Sequence, residues 1–329
     1  MAAAAKTETE TETETETETS WDAVVALDGG LGNRLFQAAF ALGCVRASST
    51  SGRQVASGFD LACMDQITHH SRQTYGELWS RFPREEEKDE EEDVKRLYYT
   101  EDPSAPCVVY NDRAQCAPPE ALLEGRRRAS VLYRGRFGSP RYFEHCRDEL
   151  LGILRPEPER VEAALDASPI PFASAMFLHV RLGDYVGDAG YWAPDAVELF
   201  YRDCLADAAA AFRALGSRFT TVAVLSDGTP EQVRAHFPRL HACIEGLGLA
   251  AAHVDEPDEL VALYLMARCA LGGFAPNSTF SWWGAYLGDR RRNAGRRYYH
   301  YRPAGRGGDP DDEYPPGHLV WIGVGGGAP

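Results

Sequence analysis

Between Ala175 and Arg302 short apolar runs alternate with longer amphipathic ones, and this alternation leaves few folds open. "AMFLHVR", "TTVAVLSD", "ALGGFA" and "RRYYHY" have the length and composition of buried strands. In "APDAVELFYRDCLADAAAAFRALG", Val197, Tyr201, Leu205 and Phe212 are core candidates of one long amphipathic helix. "DEPDELVALYLMARC" reads as a capped helix, and "NSTFSWWGAYLG" as another with Asn277 or Ser278 as its cap. Strands separated by helices form a parallel sheet covered on both faces. Ligands of such sheets sit beyond the carboxyl ends of the strands.

The first half repeats the theme once clearly. "WDAVVALD" reads as a short buried strand, and "GGLGNRLFQAAFALGCV" turns on glycines into helical spacing, with Leu35, Ala38, Ala39, Leu42 and Val45 on one face. "VLYRGRFGSPRYF" starts as a strand and leads toward the helix "YFEHCRDELLGIL". The chain has 329 residues, 44% of them apolar, and at about 150 residues per domain two domains are the default. The expected fold is therefore α/β, with residues 21–172 as a first domain and 173–305 as a second, the boundary falling at "SPIPF". Residues 306–329 read as a C-terminal extension.

The net charge of −15 is unevenly placed. Residues 1–20 are a Thr/Glu repeat that cannot offset its own ordering entropy and is expected to be disordered. Residues 85–93 carry eight acids and one Lys and read as a charged surface loop. Without these two segments the chain is nearly balanced, so the low isoelectric point says nothing about its ligands. The basic stretches "GRRRAS" and "RRRNAGRR" are too short to suggest a nucleic-acid partner. The eight cysteines show no CxxC and no zinc spacing, and are expected as buried thiols. No apolar run reaches the ~18 residues of a membrane span, and "MAAAAKTETE" has no signal-peptide pattern. As written, the chain is expected to be soluble and cytoplasmic.

Three polar clusters fall at predicted strand ends: His179–Asp184, Ser226–Asp227 and Asn277–Ser281. In "HVRLGDY", Arg181 offers a fixed fork suited to a diphosphate, and Asp184 either orients it or accepts a ligand hydroxyl. A structural Arg181–Asp184 pair closing the turn is the plain alternative. In "GGLGNRLFQ", Gly30 and Gly32 let the backbone approach a ligand at a helix start. Leu35 stands where a dinucleotide fingerprint needs its third glycine. The helix opened by Asn277, Ser278 and Thr279 presents hydroxyls and N–H groups to an anion, while Trp282 and Trp283 read as core. "DPDDEY" contains an Asp-x-Asp but no preceding strand, and reads as a solvated loop, so no metal site is expected.

Together and in this order, "GGLGNRLFQAAFALG", "YRGRFGSPRYF", "HVRLGDY", "VLSDG" and "DELVALYLMARCALGGFAPNSTFSWWGAYLG" resemble glycosyltransferase family 11, the α-1,2-fucosyltransferases. The resemblance implies a GT-B-like fold, with two Rossmann-like lobes whose parallel sheets face a central cleft. It implies GDP-β-L-fucose as donor, a β-galactoside or other glycan as acceptor, and inversion with neither metal nor cofactor. Carried onto this chain, Arg181 and Asp184 become the catalytic pair. His179, Arg181, Ser226, Asp227, Asn277, Ser278, Thr279 and Ser281 line the donor. Gly30, Gly32, Asn33 and Arg34 close the cleft from the first domain. The chain departs from the family pattern at four points. Leu182 stands for a second arginine, Arg34 for a glutamine, Gly138 for a glutamine and Gly228 for a second aspartate. Arg34 is a candidate to replace the missing charge. Asp28, Asp184 and Asp188 are equal candidates for a base.

Three other readings stay open: a transferase using another nucleotide sugar, a dinucleotide-dependent oxidoreductase, and a non-catalytic GDP-sugar-binding protein. The resemblance also sets the Golgi lumen, reached behind an N-terminal anchor, against the cytoplasmic expectation.

Overall fold

A computed structural model of the chain describes residues 21–50, 55–60, 75–82, 107–109, 131–186, 193–289, 295–304 and 309–323. The Thr/Glu repeat, the acidic segment 85–93 and Asp188 lie outside the described residues. Two parallel sheets organise the rest. The first holds β1 (Trp21–Ala26), β2 (Val55–Asp60), β3 (Cys107–Val109) and β4 (Val131–Arg134), in the order β2-β1-β4-β3. The second holds β5 (Ala175–Val180), β6 (Thr221–Ser226), β7 (Ala250–Val254), β8 (Gly272–Ala275), β9 (Arg297–Arg302) and β10 (Leu319–Ile322). Its order, β10-β9-β8-β5-β6-β7, is the doubly wound arrangement, with the reversal between β5 and β8. All the pairings are parallel. The α/β pair of lobes expected from the sequence, each built on a parallel sheet, is the fold the chain adopts.

The helices follow the strands. In the first lobe these are α1 (Leu31–Thr50), the short α2 (Gly76–Ser80) and α3 (Arg147–Leu154), with α4 (Pro158–Ala167) leading onward. In the second they are α5 (Pro194–Ala214), α6 (Pro230–His236), α7 (Pro238–Gly246), α8 (Glu259–Arg268) and α9 (Thr279–Gly288), with α10 (Pro310–Glu313) near the end. Local chemistry sets the starts. Asp258 caps α8 by accepting from the N–H groups of Leu260 and Val261 at 2.9 and 3.1 Å. Thr229 and Gln232 form a capping box on α6. Gly29, at φ 76°, makes the turn from β1 into α1. Among the described residues no helix is long and apolar enough to cross a membrane. Cys44 is buried, Cys146, Cys204 and Cys269 are buried free thiols, and burial pushes Cys146 and Cys204 up to about 12.

The two lobes share one core. Val25, Leu35 and Tyr133 of the first lobe belong to the same buried cluster as Phe177, Leu263 and Trp283 of the second. The seam runs along α1 and α9. On α1, Leu35, Ala38, Ala39 and Leu42 are buried as their spacing predicts, but so are Arg34, Gln37 and Phe40: Gln37 bonds Asp28 and the Gly135 carbonyl, and Phe40 stacks on Phe137. Phe36 packs on Trp282 and Trp283 with ring centroids 4.5 and 5.0 Å apart. Trp283 donates its Nε1–H to the Gly32 carbonyl at 2.9 Å. From the first lobe Arg147 reaches the far end of α9, donating to the Tyr286 carbonyl at 2.8 Å. Trp282 and Trp283 are core, as read.

Two expectations are corrected at the C-terminus. Residues 306–329 are no mere extension, because Leu319–Ile322 adds the edge strand to the second sheet beside β9. "DPDDEY" is no solvated loop. Asp312 pairs with Arg141, its carbonyl accepts from Ser139, and the Glu313 carbonyl accepts from Trp282 Nε1 at 2.9 Å. Asp312 and Glu313 thus hold a strap across both lobes, while Asp309 and Asp311 stay exposed. The second lobe also has β7, which the sequence reading passed over.

A Cβ added at Gly32 would lie 2.5 Å from the Phe280 nitrogen and 2.6 Å from the Thr279 carbonyl carbon, both backbone atoms. Gly32→Ala should therefore push α1 off α9 and destabilise the fold by about 1–3 kcal/mol, as overpacking does. Urea unfolding would check this, and an unchanged midpoint would show that the seam is slack.

Candidate active site

The site lies at the switch point of the second sheet, where β5 and β8 release their chains in opposite directions. β5 is buried throughout and ends at Val180, so Arg181 is the first residue free to face the rim. Its side chain keeps about 21% exposure and pairs with Asp227, Nε to Oδ2, at 3.3 Å. The other oxygen of Asp227 accepts from the Leu182 N–H at 2.7 Å. A partner that orients Arg181 thus comes from the end of β6. The Asp184 backbone lies in a short turn, Gly183–Tyr185; its side chain is outside what is described.

Across the switch point the Tyr185 hydroxyl donates to the Asn277 carbonyl at 2.6 Å. Arg181, Tyr185, Tyr201, Pro276, Asn277 and Tyr301 line one small cavity there. The tyrosines were missed in the sequence. Tyr185 stood inside the quoted motif, but nothing local marks Tyr201 or Tyr301 as rim residues. Tyr201 donates to the His179 carbonyl at 2.6 Å, which fixes the N-terminal part of α5 against the end of β5.

The remaining candidates separate. Thr279 donates its hydroxyl to Asn33 Oδ1 at 2.8 Å, so the start of α9 and the glycine loop of the first lobe do meet. Ser278 is the N-cap residue of α9, without a side-chain cap bond. Ser281 is fully buried and bonds back to the Ser278 carbonyl at 3.2 Å, so its hydroxyl serves its own helix. Ser226 accepts from the Gly228 N–H at 3.0 Å and shapes the turn after β6. His179 is corrected from a rim ligand to an interior group, 4% exposed and with its ring against Phe280. Burial, and then the Arg181 charge, lower its pKa to about 3, so it is neutral.

Two departures from the family pattern become one contact. Leu182 is buried, and its Cδ1 lies 2.6 Å from where a Cβ on Gly228 would stand. Position 182 faces the core, so no charge is missing from the cavity on its account. Arg34 is not a substitute for it. The charges acting on Arg34 are those of Glu259, Tyr75 and Asp28, not those around Arg181.

The electrostatic character of the site comes from its helices. The N–H groups of Leu31 and Gly32 on α1, and of Thr279, Phe280 and Ser281 on α9, donate to no described residue. Gly32 sits directly on Thr279–Phe280, so two helix N-termini abut. Each carries about half a positive charge. Like poles in contact beside a guanidinium make a field that favours an anion.

No family model and no curated protein matches the chain. Solved structures do. A mutant of FUT1 from Arabidopsis thaliana in complex with GDP is similar at 12% identity, covering 92% of this chain and 76% of that one, with a TM-score of 0.48. POFUT1 in complex with GDP is similar at 14% identity, covering 85% and 98%, with a TM-score of 0.41. The fucosyltransferase NodZ from Bradyrhizobium is similar at 15% identity, covering 81% and 93%, with a TM-score of 0.41.

The buried imidazole sets a pH dependence. The unfolded chain takes up a proton on His179 below about pH 6.5, which the folded chain refuses down to about 3. Stability is therefore fully present above 6.5 and falls as the pH drops. One such group costs about 2 kcal/mol between pH 7 and pH 5. Urea unfolding of wild type and His179→Gln at both pH values should show the variant losing that much less.

Proposed function

We propose that the chain transfers L-fucose from GDP-β-L-fucose to a galactoside, with inversion at the anomeric carbon and in α-1,2 linkage. The observation that carries this is the meeting of two helix N-termini beside Arg181 at the switch point of a doubly wound sheet. A nucleoside diphosphate is the anion that such a rim takes. The sequence motifs that resemble the fucosyltransferase family supply the identity of the sugar.

Breaking the bond from sugar to diphosphate puts negative charge on the leaving oxygen, while the sugar becomes oxocarbenium-like. Fixed donors stabilise that charge without reorganising, and here they are Arg181 and the free N–H groups of α1 and α9. In this reading Asp227 holds Arg181 by Nε, and the cavity beside Asn277 receives the diphosphate. The charge that a metal ion supplies elsewhere is supplied by the protein. The acceptor hydroxyl attacks from the opposite face, which is the side of the first lobe. Asp28 is exposed at the end of β1 and positioned by Gln37, so it is the described carboxylate best placed to take the proton.

Arg181→Ala should weaken GDP binding at least about tenfold, since a charge-assisted bond is worth roughly 1.5–3 kcal/mol. Calorimetry with GDP on the folded variant tests this, beside an assay of fucose transfer from GDP-fucose to lactose. Unchanged affinity, or no transfer by the wild type to any β-galactoside in a panel, would overturn the reading.

A further inference from the structure

Three strand ends converge on one guanidinium. Arg181 follows the last residue of β5, Asp227 follows the last residue of β6, and Asn277 stands two residues past β8. The chain after Arg181 folds back at once. The N–H groups of Tyr185 and Val186 both donate to the Leu182 carbonyl, at 3.0 and 2.9 Å. This single tight turn returns Tyr185 to the side of the arginine, with its ring centroid 5.8 Å from the guanidinium carbon. A cation at that distance over an aromatic face is attracted by the ring. The turn is also shaped to admit Asp227. A Cβ on Gly183 would lie 2.7 Å from Asp227 Oδ2, the oxygen that pairs with Arg181 Nε.

The Tyr185 side chain reaches past the guanidinium to a second element. Its hydroxyl donates to the Asn277 carbonyl at 2.6 Å, one residue before Ser278, the N-cap of α9. Arg181, Tyr185 and Asn277 then line the same cavity. An arginine stem loses rotamer freedom when it is fixed. Apparent affinity falls with the fraction of molecules whose side chain already points at the ligand. A ring beside the guanidinium and a hydroxyl anchored on α9 raise that fraction before any ligand arrives.

We infer that Tyr185 is a positioning residue, which acts on the diphosphate through Arg181 by latching the rim turn of β5 to the start of α9. The inference rests on the reading above in which Arg181 holds the diphosphate. It ties the two sources of positive field, the guanidinium and the α9 N-terminus, into one unit.

The test is calorimetry with GDP on four full-length proteins: wild type, Tyr185→Phe, Arg181→Ala and the double variant. Tyr185→Phe keeps the ring and removes only the latch, and should weaken GDP about three- to tenfold, the span of one hydrogen bond. In the Arg181→Ala background the same change should alter GDP affinity by less than about twofold. A rim that merely loosens, or a hydroxyl that touches GDP itself, would lose as much in both backgrounds, and that result overturns the inference. It is overturned equally if Tyr185→Phe binds GDP as wild type does. Unchanged affinity in Arg181→Ala sinks the diphosphate reading and the latch together. Fucose transfer plays no part in the measurement. A wild type that shows the coupling and transfers no fucose would therefore sink the transfer reading and leave the latch standing.

Discussion

The contact of α1 with α9 is the constraint from which the rest of the architecture follows. Each helix springs from the carboxyl end of a strand, and each strand borders the reversal in its sheet. Bringing the two helix starts together therefore brings the two rims together. Gly32 allows the approach because it has no side chain where the Thr279–Phe280 backbone passes. Phe36, Phe143, Trp282, Trp283 and Tyr286 then close an aromatic cluster along the seam, with Phe143 stacked on Trp283 at 5.5 Å. Such rings contribute through buried area and favourable edge and offset geometries. The apolar gain holds in contact two helix ends whose dipoles repel.

That repulsion connects packing to chemistry. A fold that sets like poles together stores electrostatic energy at the place where a ligand of opposite sign releases it. The guanidinium of Arg181 adds to the field, and Asp227 tempers it while fixing the direction of the fork. The arrangement is preorganised: strand ends, helix starts and one bridging tyrosine place every donor before any ligand arrives. In the other lobe Arg34 is 2% exposed, and its Nε is enclosed without a partner among the described residues.

Much of this was legible in the sequence because it is local. Apolar runs gave the strands, glycines and caps gave the helix starts, and alternation gave parallel sheets with the polar clusters at their ends. What could not be read is what depends on which strand lies beside which. Asp184 is the neighbour of Arg181 in the motif, but the sequence gives no sign of the contact with Asp227, which the pairing of β5 with β6 brings alongside the guanidinium. His179 is interior because β5 is covered on both faces along its whole length. Ser281 and Thr279 are both hydroxyls at one helix start, yet only Thr279 faces the other lobe. The strap at Asp309–Tyr314 looked polar enough for solvent, and its role appears only once both lobes are in place to receive it. The departures at Leu182 and Gly228, far apart in sequence, are meaningful only as a touching pair.

One helix is gripped by the lobe to which it does not belong. The first lobe holds α9 at its start through Gly32 and Asn33, and at its end through Arg147, whose cation sits where the carbonyl pole of that helix is exposed. α9 also lies on α8 of its own lobe, with Gly284 packed against Met266. A jaw-like swing of one lobe against the other would tear this helix from one of its two beds. α9 is thereby the element through which a displacement of either lobe would be felt by the other.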